Sequence, residues 1–415
     1  MPPDPGGVLA KHLLPNPPSA LGVAVSGGSD SLALLHLLHD FAGVHGTQLH
    51  VVTVDHGLRS EAAEEAAFVK RICRDLKLPY EIVHWTGWDN RGNLQNEARR
   101  ARYRLISEWA RERGLRFVAL GHTCDDQAET VLMRLARGAG VDGLAAMSPR
   151  RTADGITWIR PLLTIRRAQL RGELQARGVA WCNDPSNDDT RYDRIKTRQA
   201  LAVLEPLGID AQTLGQVAFN MARARDALAW QAFLSARSMV TIDAGAVCID
   251  WRAYRTLPDE TARRILVSAI GWVGGSEYPP RRKAVLGMIE ALKQGVTATL
   301  DGCQTWRDPE KLWVFREFNP VRDLTCPLNE VWDGRWQMRG GAMDGAARIA
   351  ALGSEGLTQI ETWRETGRPR ALLCSTPAIW KGSEVVAAPL AGFANGWHAQ
   401  LENDEEAFFA ALLSH

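Results

Sequence analysis

Four short apolar runs alternate with four helix-like stretches over the first third of this chain, and that alternation constrains the fold more than any other feature. Residues 21–25, 49–54, 80–84 and 116–120 have strand length, while residues 32–41, 60–76, 96–113 and 125–137 carry helix-like sequence. Residues 21–25 are apolar almost without interruption, as a strand covered on both faces must be. Ser60 reads as a helix N-cap, with Glu61 and Glu64 in the first turns. The order βαβαβαβα implies an α/β fold on a doubly wound parallel sheet. Ligands of such sheets bind outside the carboxyl ends of the strands. Three polar motifs fall at those ends: after Val25, after Val54 and after Leu120.

The first motif is Ser26, Gly27, Gly28, Ser29, Asp30 and Ser31, a turn that leaves a strand and opens a helix. Glycine permits the turn and the close approach of a ligand. Backbone N–H groups and a helix N-terminus then face an anion, and three hydroxyls add donors. Asp30 is the unusual member, because a carboxylate repels phosphate. It is accounted for if it holds Mg2+ or polarises a neighbouring donor. The loop itself matches neither GxxxxGK[ST] nor GxGxxG, so it is neither a Walker loop nor a dinucleotide fingerprint. The plain alternative is an ordinary polar turn, and the six residues together favour phosphate binding.

The third motif places Asp125, Asp126 and Glu129 at a helix start, with Asp126 and Glu129 three apart on one face. Carboxylates so placed suit Mg2+ or an ammonium group, and they also suit plain helix capping. His122 precedes them, and Asp55 and His56 end the second strand in the same way. Both histidines stay open between ligand contact and a structural role.

The rest of the chain is less specific. Net charge is +1, so any nucleic-acid surface must be local. Between Arg91 and Arg116 lie eight arginines against three glutamates, Arg100 and Arg104 being the candidates for phosphate or RNA. A second basic cluster holds Arg191, Arg194, Lys196 and Arg198, and a third holds Arg166, Arg167 and Arg171. Most of these read equally as solvated helix faces. Seven scattered cysteines without a CxxC suit a reducing compartment. With no signal-peptide pattern and no apolar run of about 20 residues, a cytoplasmic protein is expected, with no membrane partner. Beyond residue 205 the pattern changes to a long helix over 213–236, a strand pair over 239–251, helices over 260–272 and 282–293, and strands over 297–315. A linker is expected around 319–322, and the seven tryptophans after residue 300 read as core rather than as base-stacking platforms. Oligomeric state is not readable.

Ser26 to Ser31 after a buried first strand resembles the phosphate loop of the PP-loop, N-type ATP-pyrophosphatases. Val54-Asp-His-Gly-Leu-Arg59, Ala101-Arg-Tyr-Arg104, Gly121 to Thr130, Arg137-Gly-Ala-Gly140, Arg160-Pro-Leu-Leu163 and Asp184-Pro-Ser-Asn-Asp-Asp189 resemble, in order and spacing, the tRNA(Ile)-lysidine synthetases of that group. The resemblance is strong over about 20–200 and weak from 215 onward. Thr123 stands where the family often has a second histidine, and Tyr192-Asp193-Arg194 replaces its familiar Arg-Asn.

What the resemblance implies is a Rossmann-like PP-loop domain over 1–205, a smaller helical or α+β central domain over 206–318 that binds tRNA, and a C-terminal α+β domain over 319–415. It further implies a carbon–nitrogen ligase that uses ATP and Mg2+ to join L-lysine to the wobble cytidine of a CAU-anticodon tRNA(Ile). Catalysis would then fall to Asp30, Asp126 and His122, with the metal on Asp30. Asp55, His56, Arg104, Asp125, Glu129, Arg194 and Arg198 would be candidates for contacts to lysine or tRNA. The competing reading is tRNA thiolation, against which the lack of paired cysteines speaks.

Overall fold

The computed structural model describes residues 3–57, 62–86, 94–182, 193–276, 278–341 and 345–414, without the side chains of Gln95, Asn96 and Asp193. The chain forms two compact units, Met1–Arg225 and Asp226–Ser414.

The first unit runs α1 (Pro5–Leu13), β1 (Ala20–Ala24), α2 (Ser29–His45), β2 (Gln48–Asp55), α3 (Ala62–Asp75), β3 (Tyr80–His84), α4 (Leu94–Glu112), β4 (Phe117–Leu120), α5 (Cys124–Leu135), α6 (Val141–Leu144), β5 (Arg150–Ala153), β6 (Ile156–Ile159), α7 (Arg167–Ala176) and α8 (Asp193–Leu204). Its six strands lie in the order β3-β2-β1-β4-β6-β5. All neighbours are parallel except the β5–β6 pair. β1 is central, and Leu21 and Val23 are fully buried in one cluster with Leu32, Leu34, Leu35 and Leu38 of α2. The four expected strands and the four helices that follow them are present. The expected Ser60 cap and Glu61 lie outside the described residues.

The β5–β6 hairpin was not anticipated. Asp154 and Gly155 at its tip have φ of 53° and 76°, the pair of left-handed residues that a two-residue hairpin turn requires. An Asp-Gly dipeptide before Ile156-Thr-Trp158 was the available signal.

In the strand order 3-2-1-4, the connections from β1 leave in one direction and the chain crosses to β4 on the other side. β1 and β4 therefore part at their carboxyl ends and leave a crevice there.

The second unit holds a five-stranded antiparallel sheet in the order Val240–Asp243, Ala246–Asp250, Lys311–Arg316, Cys303–Arg307, Ala298–Leu300. Helices Asp259–Gly274 and Arg282–Lys293 cover it, as Ile265, Ile270, Val285 and Met288 share a core with Val247, Ile249 and Val314. A four-stranded and a two-stranded sheet follow within Thr325–Leu401. The helix expected over 213–236 is longer, Ala211–Met239, and crosses the boundary between the units. The stretch read as a linker contains the 3-10 turn Asn319–Val321, whose Val321 is fully buried. Trp313, Trp332, Trp336 and Trp397 are buried, as the core reading requires. Among the described residues, no helix is long and apolar enough to cross a membrane.

Candidate active site at the carboxyl ends of β1 and β4

β1 hands the chain to the loop under tight control. Val25 N donates to Val52 O at 2.9 Å, and Thr53 Oγ1 donates to Val25 O at 2.7 Å. Gly27 then takes φ 85°, and Gly28 caps α2 without any side-chain bond to the helix. Ser31 Oγ closes the turn by donating to Gly28 O at 3.0 Å and accepting from Ser26 N at 3.2 Å. The first amides of α2 thus lack a capping side chain, the arrangement that receives an anion. Ser29 Oγ donates to Asp30 Oδ1 at 3.0 Å.

β4 ends against this loop. A Cβ on Gly121 would lie 2.9 Å from both Asp30 O and Ser31 Cα, so only glycine lets the two turns meet. Thr123 caps α5 in a capping box: Asp126 Oδ2 accepts from Thr123 N at 2.8 Å and from Thr123 Oγ1 at 2.9 Å. The residue that replaces the family's second histidine is therefore the cap of α5.

One guanidinium gathers the carboxylates. Arg167 Nε donates to Asp30 Oδ2 at 2.7 Å and its Nη2 to Asp126 Oδ1 at 3.1 Å, while its Nη1 stands 3.7 Å from Glu129 Oε1. Glu129, 1% exposed, also accepts from Arg198 Nε at 2.6 Å, and its Oε2 has no partner among the described residues. Asp125 turns the other way, accepting from the Arg167 amide at 2.7 Å and lying 3.8 Å from Arg166 Nε.

The sequence had placed Arg167 in a basic cluster for RNA. Its ion pairs instead put it at the centre of the crevice. Its spacing along the chain carried no sign of this, though three carboxylates converging on one strand end demanded a cation. Around Asp126, burial opposes charge, but Arg167, the Thr123 amide and His122 outweigh it and hold the carboxyl below its usual range. Asp126 therefore stays ionised with both oxygens engaged, which makes it a poor proton acceptor. Burial pushes Glu129 up, against Arg198.

The other sequence candidates are spread around this centre. Asp55 accepts from Gly57 N at 2.8 Å and faces His84 Nδ1 at 3.4 Å. His56 stands edge-on to Trp85 with Arg102 Nη2 3.4 Å from its Nε2. Arg104 is exposed and lies 4.0 Å from Glu108 on its own helix, and Arg100 pairs with Glu97 at 3.0 Å. Arg194 is exposed near the start of α8. The segment 184–189, Arg191 and Arg59 lie outside the described residues.

His122 sits between the loop and the arginines. Burial drives its pKa down to about 3; Asp126 pulls upward, and Arg160, Arg99 and Arg194 push further down. Its buried Nδ1 has no partner among the described residues. A histidine kept neutral in the fold makes stability depend on acid. The unfolded chain takes up this proton near 6.5 and the folded chain only near 3, so stability is whole above 6.5 and falls as pH drops through that window. Between pH 7 and 5, urea unfolding of the wild type should lose about 2 kcal/mol more than that of His122→Asn. Equal losses would mean that His122 titrates normally.

An anion-ready loop facing carboxylates across the switch point of a parallel sheet defines a nucleotide-binding α/β enzyme of the phosphate-loop kind. Residues 8–204 match the family described as the PP-loop domain. The tRNA(Ile)-lysidine synthase of Ruegeria pomeroyi is 56% identical over 96% of this chain and 95% of its own length. That of Wolbachia pipientis wMel is 32% identical over 89% of this chain and 88% of its own. The chain belongs to the tRNA(Ile)-lysidine synthase family. Among solved structures, the U34-tRNA thiolase NcsA of Methanococcus maripaludis is 19% identical over 53% of this chain and 78% of its own, with a TM-score of 0.47, a likeness too distant to bear on function.

Proposed function

We propose that this enzyme is a carbon–nitrogen ligase of the cytoplasm that joins L-lysine to C2 of the wobble cytidine of CAU-anticodon tRNA(Ile), giving lysidine, AMP and pyrophosphate. The observation that carries the reading is one crevice holding both an anion-ready loop and the carboxylates of Asp30 and Asp126. ATP lies with its phosphates on Ser26 to Ser31. Cytidine O2 bonds to the α-phosphorus as the bond to the β-phosphate oxygen breaks, and pyrophosphate leaves. The neutral Nζ of lysine then bonds to C2. The C2–O2 electron pair goes to oxygen, AMP departs, and the nitrogen sheds one proton. Orientation of the amine against the activated carbon supplies much of the rate. Asp126, held ionised, serves better to hold the lysine ammonium before reaction than to accept its proton.

Mg2+ fits Asp30, a hard oxygen donor beside the phosphate seat. Mg2+ takes most of its ligands from phosphate and water, so one carboxylate beside the phosphates would suffice to hold it. When bound it would offset phosphate charge. The domains over 206–318 and 319–415 are proposed to hold the tRNA. Sulfur transfer is the weaker reading, because the cysteines are unpaired in the sequence and burial raises Cys124 to about 11 and raises Cys182 as well, which disfavours the reactive thiolate.

Labelled lysine should enter a CAU-anticodon tRNA(Ile) transcript only with ATP and Mg2+. Asp30→Ala should lower the rate by about 1000-fold, and a changed wobble base should abolish it. Lysine entering a transcript without the wobble cytidine, or none entering while ATP binds, would move the substrate elsewhere.

A further inference from the structure

Arg160 follows β6 and is 5% exposed, yet it forms no ion pair with a described carboxylate. Its Nη1 donates to Ser148 O at 3.0 Å and its Nη2 to Tyr103 Oη at 3.5 Å, both neutral acceptors. Its buried Nε donates to nothing among the described residues. A guanidinium removed from water in this way is normally matched by an anion.

The surroundings add positive charge rather than cancelling it. Tyr103 stands edge-on to Trp158, with ring centres 4.7 Å apart. Arg99 Cζ lies over the Tyr103 ring, 5.4 Å from its centroid. Arg99 on α4 and Arg194 on α8 are exposed, and neither has an ion pair among the described residues. The fields of all three arginines reach His122, whose Nδ1 is buried and unengaged. The nearest acidic group acting there, Asp126, is already bound to Arg167. Arg160 and Arg99 thus meet at Tyr103, and Arg194 on α8 adds its field at the neighbouring neutral imidazole.

We propose that Arg160, Arg99 and Arg194 form a second anion site, distinct in its residues from the 26–31 loop, that takes a phosphate group of the reactants. Arg160 offers the buried Nε, and the two exposed arginines close over the ligand. Placing that ligand within the tRNA reaction rests on the proposed function; the site itself does not. The phosphate comes from one of two sources, the nucleotide or the RNA backbone beside the target base.

The test uses the full chain and two probes, ATP and a CAU anticodon stem-loop, with variants Arg160→Gln and Arg99→Gln. Each variant should weaken one probe by about 10-fold or more. A loss for ATP assigns the nucleotide phosphate. A loss for the stem-loop, with the slope of log affinity on log salt reduced by about 1, assigns the backbone. Arg160→Lys keeps the charge but not the fork, and should restore part of the affinity. If Arg160→Gln does not fold, the double exposed variant Arg99→Gln/Arg194→Gln carries the test. Affinities within about 2-fold of wild type for both probes would overturn the site. Loss of binding in the variants of an enzyme that incorporates no lysine would sink the proposed reaction and leave the anion site standing.

Discussion

Arg167→Met is expected to lower the unfolding free energy by about 3–5 kcal/mol at pH 7, the cost of removing one partner from a buried charge network. Asp30, Asp126 and Glu129, 19%, 13% and 1% exposed as side chains, would face one another across the crevice, with Arg198 still paired to Glu129. The pH dependence separates this cause from lost packing. Uncompensated carboxylates bind protons more readily in the fold, so the gap from wild type should narrow as pH falls from 7 toward 4. Urea unfolding at both pH values measures it. A constant gap would assign the loss to packing. ATP affinity should change in the same variant, because Asp30 loses the bond that orients it.

This network marks where reading the sequence ran out. β1 to β4 and the helices that follow them were legible because their signals are local: apolar runs of strand length, and polar turns at the strand ends. The loop was legible for the same reason, since its six residues are contiguous. Arg167 was not. It lies 137 residues from Asp30 and 41 from Asp126, and nothing in its neighbours distinguishes an arginine bound for a crevice from one bound for solvent. Arg104 is a candidate the fold leaves exposed, on the helix surface beside Glu108. Asp126 had two readings from the start, and the structure has it cap α5 with one oxygen while the other meets Arg167.

Gly121→Ala should cost about 1–3 kcal/mol and weaken ATP binding by about 100-fold. The added methyl would meet backbone atoms, Asp30 O and Ser31 Cα, both at 2.9 Å, and neither can swing aside as a side-chain tip would. Either the loop or the end of β4 must move, and the loop is the proposed phosphate seat. Gly43→Ala is the matched control on α2, where an added Cβ meets nothing within 4 Å. It should leave ATP affinity unchanged and raise stability by about 0.5–1 kcal/mol. Equal ATP affinity in the two variants would show that the contact between the turns does not shape the phosphate seat.

The strand order also bears on how the molecule is made. On the ribosome the phosphate loop emerges early, and β1, β2 and β3 can pair as soon as they appear. The far wall of the crevice arrives only with β4, and the cation that balances Asp30 follows with α7. A nascent chain stalled before residue 167 would therefore hold much of a sheet around an acidic gap, and Arg198 of α8, the second cation on Glu129, emerges later still.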